Sequence, residues 1–306
     1  MSLPFTVIGG FLGAGKTTLL NHWLRHAAGR RLAVLVNDFG ALNIDAQLIE
    51  SNAGDTIALT NGCVCCQIGD DLSMALMRVL DRADAFDAVV VEASGVSDPW
   101  RVAQMGRADP GLRLDGVVVV VDAGAALVHA RDPLLADTLE RQLKAADLIV
   151  LNQCDLVPGD ERARVRDWIA SVAGTVPQFE TTQAVVPIAM LSGIALPTPH
   201  AYDAGCCHDH DHAHTDHGSV FDTWSCRPAQ VFDADALRAW LRATPPGLLR
   251  LKGVLRTGES AWSELQFGGR HGTLRPATPP ADGAALVAIA LRGRLPTATL
   301  EGFFTP

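Results

Sequence analysis

Long apolar runs are missing from this 306-residue chain. The best candidate, Val117–Val121, stops at Asp122, so nothing in the sequence is long enough to span a bilayer and no membrane partner is expected. Positive charge is scarce as well: 25 lysines and arginines stand against 34 aspartates and glutamates, a net charge of −9. Phosphate backbones select basic surfaces, so a nucleic acid is excluded as the main partner. An acidic surface serves solubility or the attraction of cations. The N-terminus enters a strand pattern at once, with no basic segment followed by an apolar one, which argues against secretion. Cysteine is sparse and unevenly spread. Of seven, an odd number, three crowd together as Cys63, Cys65 and Cys66. That is no disulfide framework. A reducing, cytoplasmic setting is expected, with thiols kept for metal or redox chemistry.

What the chain does have is core material, 48% of it hydrophobic, arranged in alternation. Apolar runs at Phe5–Ile8, Leu32–Val36, Ala88–Glu92, Gly116–Val121 and Leu148–Leu151 predict strands. Amphipathic stretches at Lys16–Ala27, Asp70–Asp81, Trp100–Met105, Leu134–Ala146 and Glu161–Ser171 predict helices. Continuous β-branched runs mean strands buried on both faces, hence a parallel sheet between helix layers. The expected fold is α/β, a doubly wound, mostly parallel sheet, over residues 1–197. Residues 198–220 are nearly free of apolar side chains and read as a flexible linker. Residues 221–306 read as a smaller α+β domain, with strands at Gly247–Arg256, Ala261–Phe267 and Ala285–Arg292 and a helix at Asp233–Ala243 capped by Asp233.

Between the first strand and first helix lies Gly10-Phe11-Leu12-Gly13-Ala14-Gly15-Lys16-Thr17, the pattern G-x-x-x-x-G-K-S/T. Its glycines let backbone N–H groups wrap a triphosphate. Gly10, Gly13, Ala14, Gly15 and Thr18 would line that cradle, Lys16 would neutralise the terminal phosphates, and the Thr17 hydroxyl would ligate Mg²⁺. Three strand ends add to it. Glu92 would hold Mg²⁺ or orient the attacking water. Asp38, in Asn37-Asp38-Phe39-Gly40, is a candidate switch carboxylate. Asn152-Gln153-Cys154-Asp155 is similar to the guanine-reading pattern N-K-x-D, with Asp155 accepting from the guanine N1 and N2 and Asn152 on the opposite edge. Gln153 stands where lysine is usual. A buried polar site rejects ligands that leave it unpaired, so Asp155 favours GTP over ATP.

Cys63, Cys65 and Cys66 cannot all face a core, and the Asn61-Gly62 turn precedes them. Thiolates select Zn²⁺ or Cu⁺ over Mg²⁺ or Ca²⁺. Three protein ligands leave a tetrahedral position open, which suits a site that gives its metal away. Later, His208, His210, His212, His214 and His217 form a tract that would collect Zn²⁺, Co²⁺ or Ni²⁺ at low affinity.

With these segments together the chain resembles the CobW family of P-loop GTPases that handle metals. The likeness rests on the glycine loop, on Asn37-Asp38-Phe39-Gly40, on Asn61-Gly62-Cys63-Val64-Cys65-Cys66, and on Glu92-Ala93-Ser94-Gly95 with Asp98-Pro99. Gln142 and Asp147 extend it, and Thr244–Gly253 looks like the start of the family's second domain. The resemblance implies a GTP-hydrolysing metallochaperone; the sequence offers no certain arginine finger, so slow intrinsic turnover is expected. It would use GTP and Mg²⁺ to organise a transition-metal site, zinc before cobalt, and deliver the metal to a client protein, with a nucleotide-dependent homodimer as a further expectation. The family usually has Glu where this chain has Asp38, which is one methylene shorter. A metal buffer or sensor with nucleotide as a switch, or a P-loop small-molecule kinase, are the rival readings.

Overall fold

The computed structural model describes residues 2–27, 29–36, 68–191, 221–243, 247–268, 271–280 and 283–305. They fall into two compact units, Met1–Ile194 and Ala195–Pro306.

In the first unit, β1 (Leu3–Gly10), β2 (Leu32–Val36), β3 (Ala88–Glu92), β4 (Leu112–Asp122), β5 (Leu148–Asn152) and β6 (Gln178–Glu180) form one sheet in the order β2-β3-β1-β4-β5-β6. Every pairing is parallel. Its helices are α1 (Lys16–Arg25), α2 (Ile68–Leu80), α3 (Pro99–Ala108), α4 (Ala126–Arg131), α5 (Ala136–Ala145), α6 (Gly159–Ala173) and α7 (Ile188–Leu191). The doubly wound sheet expected from the valine- and isoleucine-rich runs is the one found. Strands β1, β2, β3 and β5 are buried along their whole length, as strands covered on both faces must be. Alternation along each strand decides which layer a side chain meets. Phe5, Val7, Ala33, Leu35, Val89, Val91, Ile149 and Leu151 share a core with Leu72 and Val79 of α2, Val102 of α3, Leu143 of α5 and Ile169 of α6. Thr6, of the opposite parity, gives its hydroxyl to the Leu191 carbonyl of α7 at 3.5 Å.

Strand β4 starts four residues before the expected Gly116. Arg113 and Asp115 break the apolar run there, and the pairing with β1 shifts register between Phe5 and Thr6. Helix α3 begins at Pro99, with the Asp98 carboxylate accepting from the Trp100 N–H at 2.9 Å. Chain order reverses about β1: β2 and β3 lie on one side of it, β4 to β6 on the other. In open parallel sheets the crevice at that reversal, beyond the strands' carboxyl ends, is where ligands bind.

The second unit is a five-stranded antiparallel sheet, ordered β10-β9-β8-β11-β7, of β7 (Phe221–Cys226), β8 (Leu248–Arg256), β9 (Trp262–Gly268), β10 (His271–Ala277) and β11 (Ala285–Leu291). Helices α8 (Ala234–Arg242) and α9 (Thr297–Phe304) accompany it. Leu251, Leu255, Leu265, Phe267, Leu286 and Ala288 share a core with Leu237, Leu241, Leu300 and Phe304. Trp240 meets Phe304 edge-on, ring centroids 5.0 Å apart. The Asp233 side chain caps α8 as expected, accepting from the Ala236 N–H at 2.7 Å. Among the described residues no helix is long and apolar enough to cross a membrane.

Candidate functional site

The glycine loop joins β1 to α1 at the chain-order reversal. Gly15 is the N-cap of α1 at φ 105°, and no side chain caps the helix. A Cβ there would press into the Asn152 amide. Glycine is thus required twice, for a left-handed backbone and for a close approach. The uncapped first turn leaves backbone N–H groups and the positive end of the helix dipole facing the loop.

Lys16 is only 8% exposed, and its ammonium donates across the loop to the Phe11 carbonyl at 3.2 Å. The next residue, Thr17, donates its hydroxyl to Glu92 Oε1 at 2.9 Å. Glu92 is the last residue of β3, in register with Ile8 of β1 and Val36 of β2, and is 2% exposed. A buried carboxylate therefore meets the first turn of α1 at the sheet's carboxyl edge. Two hard oxygen donors 2.9 Å apart are the chemistry Mg²⁺ takes. Thr18, one residue on, is exposed.

The end of β5 grips the same loop. Asn152, 2% exposed, donates its amide to the Ala14 carbonyl at 2.9 Å and accepts at Oδ1 from the Ala184 N–H at 2.8 Å. Gln153, left-handed at φ 60°, donates to the Gly13 carbonyl at 3.3 Å. Two consecutive loop carbonyls are thus held by two consecutive side chains. Asn152 serves as a brace between the loop and the segment after β6, and Gln153 reaches the loop backbone without a lysine. Asp155 is exposed, in the short turn beyond β5.

Three parts of this site lie outside the nucleotide-binding motifs, although Gln142 is among the residues that carry the family likeness. Gln183 and Ala184 are left-handed in succession, at φ 52° and 53°, a conformation costing of order 1–3 kcal/mol per non-glycine residue and common at ligand clamps. Thr181 pins the segment by donating to the Val185 carbonyl at 2.6 Å. The turn after Glu92 is held by Gln142 of α5, fully buried, whose amide donates to the carbonyls of Gly95 and Ser97 at 3.1 and 3.0 Å. A Cβ at Gly95 would collide with Leu12, so this turn and the glycine loop are in contact. Finally, Phe11 packs on the His129 ring, centroids 4.8 Å apart.

Asp38, the trio Cys63, Cys65 and Cys66, and the tract His208, His210, His212, His214 and His217 lie outside the described residues. Two other cysteines are described. Burial pushes the Cys154 thiol upward and Cys226 up to about 12, so both stay protonated at neutral pH, unlike a metal ligand.

A family model described as "CobW/HypB/UreG, nucleotide-binding domain" matches residues 4–180, and one described as "Cobalamin synthesis protein cobW C-terminal domain" matches residues 221–302. The chain is 32% identical over 293 residues to the zinc chaperone CobW of a Sinorhizobium species, covering 82% of this chain and 80% of the relative. It is 35% identical over 198 residues to the zinc chaperone YjiA of Escherichia coli K12, covering 62% and 60%. It is 34% identical over 193 residues to the zinc-regulated GTPase metalloprotein activator 1 of Schizosaccharomyces pombe, covering 59% and 46%.

Proposed function

This chain belongs to the CobW/HypB/UreG family, and from that premise and the geometry of its loop we propose that it is a GTP-hydrolysing zinc metallochaperone. The observation that carries the hydrolase half is the pairing of Thr17 with the buried Glu92 at 2.9 Å beside the pinned Lys16. Thr17 and Glu92 would hold Mg²⁺, which when bound would supply positive charge against the negative charge that develops on the phosphates. The Thr17 hydroxyl keeps its proton on Glu92 and turns its lone pairs outward to the cation. Glu92 thereby positions a ligand, and its own charge balances part of the metal's. Lys16 exchanges the Phe11 carbonyl for the terminal phosphates. Water attacks in line, and the loop N–H groups stabilise the developing negative charge.

Base selection falls to the loops beyond β5 and β6. Asp155 is the acceptor for the guanine N1 and N2 hydrogens. Asn152 holds the Ala184 segment against the glycine loop, so the base meets a fixed frame. In this reading turnover without a partner is slow.

The metal half rests on Cys63-Val64-Cys65-Cys66 and on the zinc chaperone names of the relatives. In this reading the three thiolates carry zinc as cargo, the histidine tract gathers it, and a client metalloprotein receives it. Steady-state hydrolysis of GTP and ATP by the full chain with Mg²⁺ tests the assignment. GTP should be turned over at least tenfold more efficiently, and Thr17→Ala should lower kcat about 10²-fold, the loss typical of one transition-state ligand. Equal use of ATP, or phosphoryl transfer to a small acceptor in place of water, would replace the proposal with the kinase reading.

A further inference from the structure

Helix α1 ends in a histidine pair that the nucleotide site does not use. His22 and His26 are four residues apart, so both lie on one face of the helix. Their ring centroids are 4.4 Å apart with planes inclined by 36°. His22 Nε2 bonds the Val186 carbonyl at 2.9 Å, and His26 Nδ1 bonds the His22 carbonyl at 2.8 Å. A carbonyl only accepts, so each of these ring nitrogens carries the proton. That leaves lone pairs on His22 Nδ1 and on His26 Nε2.

Metal-ligating histidines almost always give their second ring N–H to a carbonyl or carboxylate, which fixes tautomer and orientation. Both members of this pair already do so. With Zn–N near 2.0–2.1 Å, two imidazoles on one ion at roughly 90–110° have centroids about 4.5–5.3 Å apart. The observed separation of 4.4 Å is just below that range, and His26 is exposed, so its ring is free to open by a few tenths of an ångström. Burial, more than the neighbouring charges of His26 and Arg25, lowers the His22 pKa.

We propose that His22 Nδ1 and His26 Nε2 form a two-imidazole site for a borderline transition-metal ion such as Zn²⁺, Co²⁺ or Ni²⁺. Imidazoles select these ions over Mg²⁺ and Ca²⁺. Among the described residues no group of three or more histidine, cysteine, aspartate or glutamate side chains could hold a metal. The pair therefore supplies two ligands, water completes the shell, and the nearby Arg25 weakens the site, which makes the ion exchangeable. His22 lies five residues beyond Thr17, roughly 7.5 Å along the axis. Through Val186 it also touches the segment that carries Ala184. The ion would sit between the phosphate helix and that segment.

Long-range ¹H–¹⁵N spectra of the full chain, labelled at its ten histidines, test this with Zn²⁺ as the probe. His22→Gln and His26→Gln assign the two rings. Without metal, His22 should be the Nε2–H tautomer and His26 the Nδ1–H tautomer. Zn²⁺ should shift both rings with one common midpoint, while Mg²⁺ moves neither. In His26→Gln, an exposed change that leaves the Val186 bond in place, the His22 midpoint should rise at least tenfold. Rings unmoved by millimolar Zn²⁺, or a His22 midpoint within twofold of the parent in His26→Gln, would overturn the site.

Discussion

Gln142 offers a sharp test of how the turn after Glu92 is held. Gln142→Leu keeps the volume of the side chain and removes its two donated bonds, 3.1 Å to Gly95 and 3.0 Å to Ser97. The Gly95 carbonyl is buried, so its loss carries the full penalty of an unsatisfied acceptor, about 1–3 kcal/mol. Ser97 is half-buried and water can replace its partner, so about 1 kcal/mol is expected there. The sum, about 2–4 kcal/mol, falls on the turn that contacts Leu12 of the glycine loop. With a urea slope of about 2–3 kcal/mol per molar, the unfolding midpoint of the first unit should drop by roughly 1 M. If all of it falls on the transition state, turnover of GTP should drop about 30- to 700-fold, since each 1.4 kcal/mol is a factor of ten. Gln142→Glu, which sets a carboxylate against two carbonyls, should do no better. A Gln142→Leu protein with unchanged midpoint and unchanged kcat would show that the two bonds hold nothing the reaction needs.

Gly15→Ala should weaken nucleotide binding at least tenfold in a fluorescent GTP-analogue titration, because φ 105° and the Asn152 amide both exclude a Cβ. Asp233→Ala should destabilise the second unit by about 0.5–2 kcal/mol, the worth of a helix N-cap, and leave GTP turnover unchanged. A pH effect follows from Asp87. The Arg31 guanidinium, bonded at 3.1 Å, holds its carboxyl below the ordinary 3.8. A carboxyl more acidic in the folded than the unfolded chain contributes fully above the unfolded value and loses that contribution as pH falls through the folded one. Urea midpoints should therefore decline more steeply below about pH 4 in the parent than in Asp87→Asn.

Long runs of β-branched residues made the parallel sheet legible. Val117–Val121 can be buried on both faces only between two helix layers. Strand β6 was invisible because Gln178-Phe179-Glu180 is three residues with two polar ends, half-buried throughout. Strand β7 was missed for a related reason: Phe221-Asp222-Thr223-Trp224-Ser225-Cys226 adjoins a polar tract and has no continuous apolar run. In the candidate site, spacing pointed to Lys16, Thr17 and Glu92, which the fold brings together, and to Asp155, which lies exposed beyond β5. Gln142 stood out only through the family likeness, and its role was not legible, because a bond from an amide to two distant carbonyls leaves no periodic trace. Nor did spacing reveal Gln183 and Ala184, since left-handed backbone is flagged in a sequence by glycine, and neither is one. Asn152 was visible, but its role as a brace depends on Ala184 lying beside it, which only the tertiary fold supplies.

Zinc affinity of the full chain, measured by competition with a chelator in the presence of a non-hydrolysable GTP analogue and again with GDP, tests the central claim most directly. A GTPase that loads and releases zinc must hold it more tightly in one nucleotide state, and the account predicts at least a tenfold difference in favour of the GTP analogue. Equal affinities would contradict it, because a nucleotide without differential effect on the metal-binding state shifts nothing.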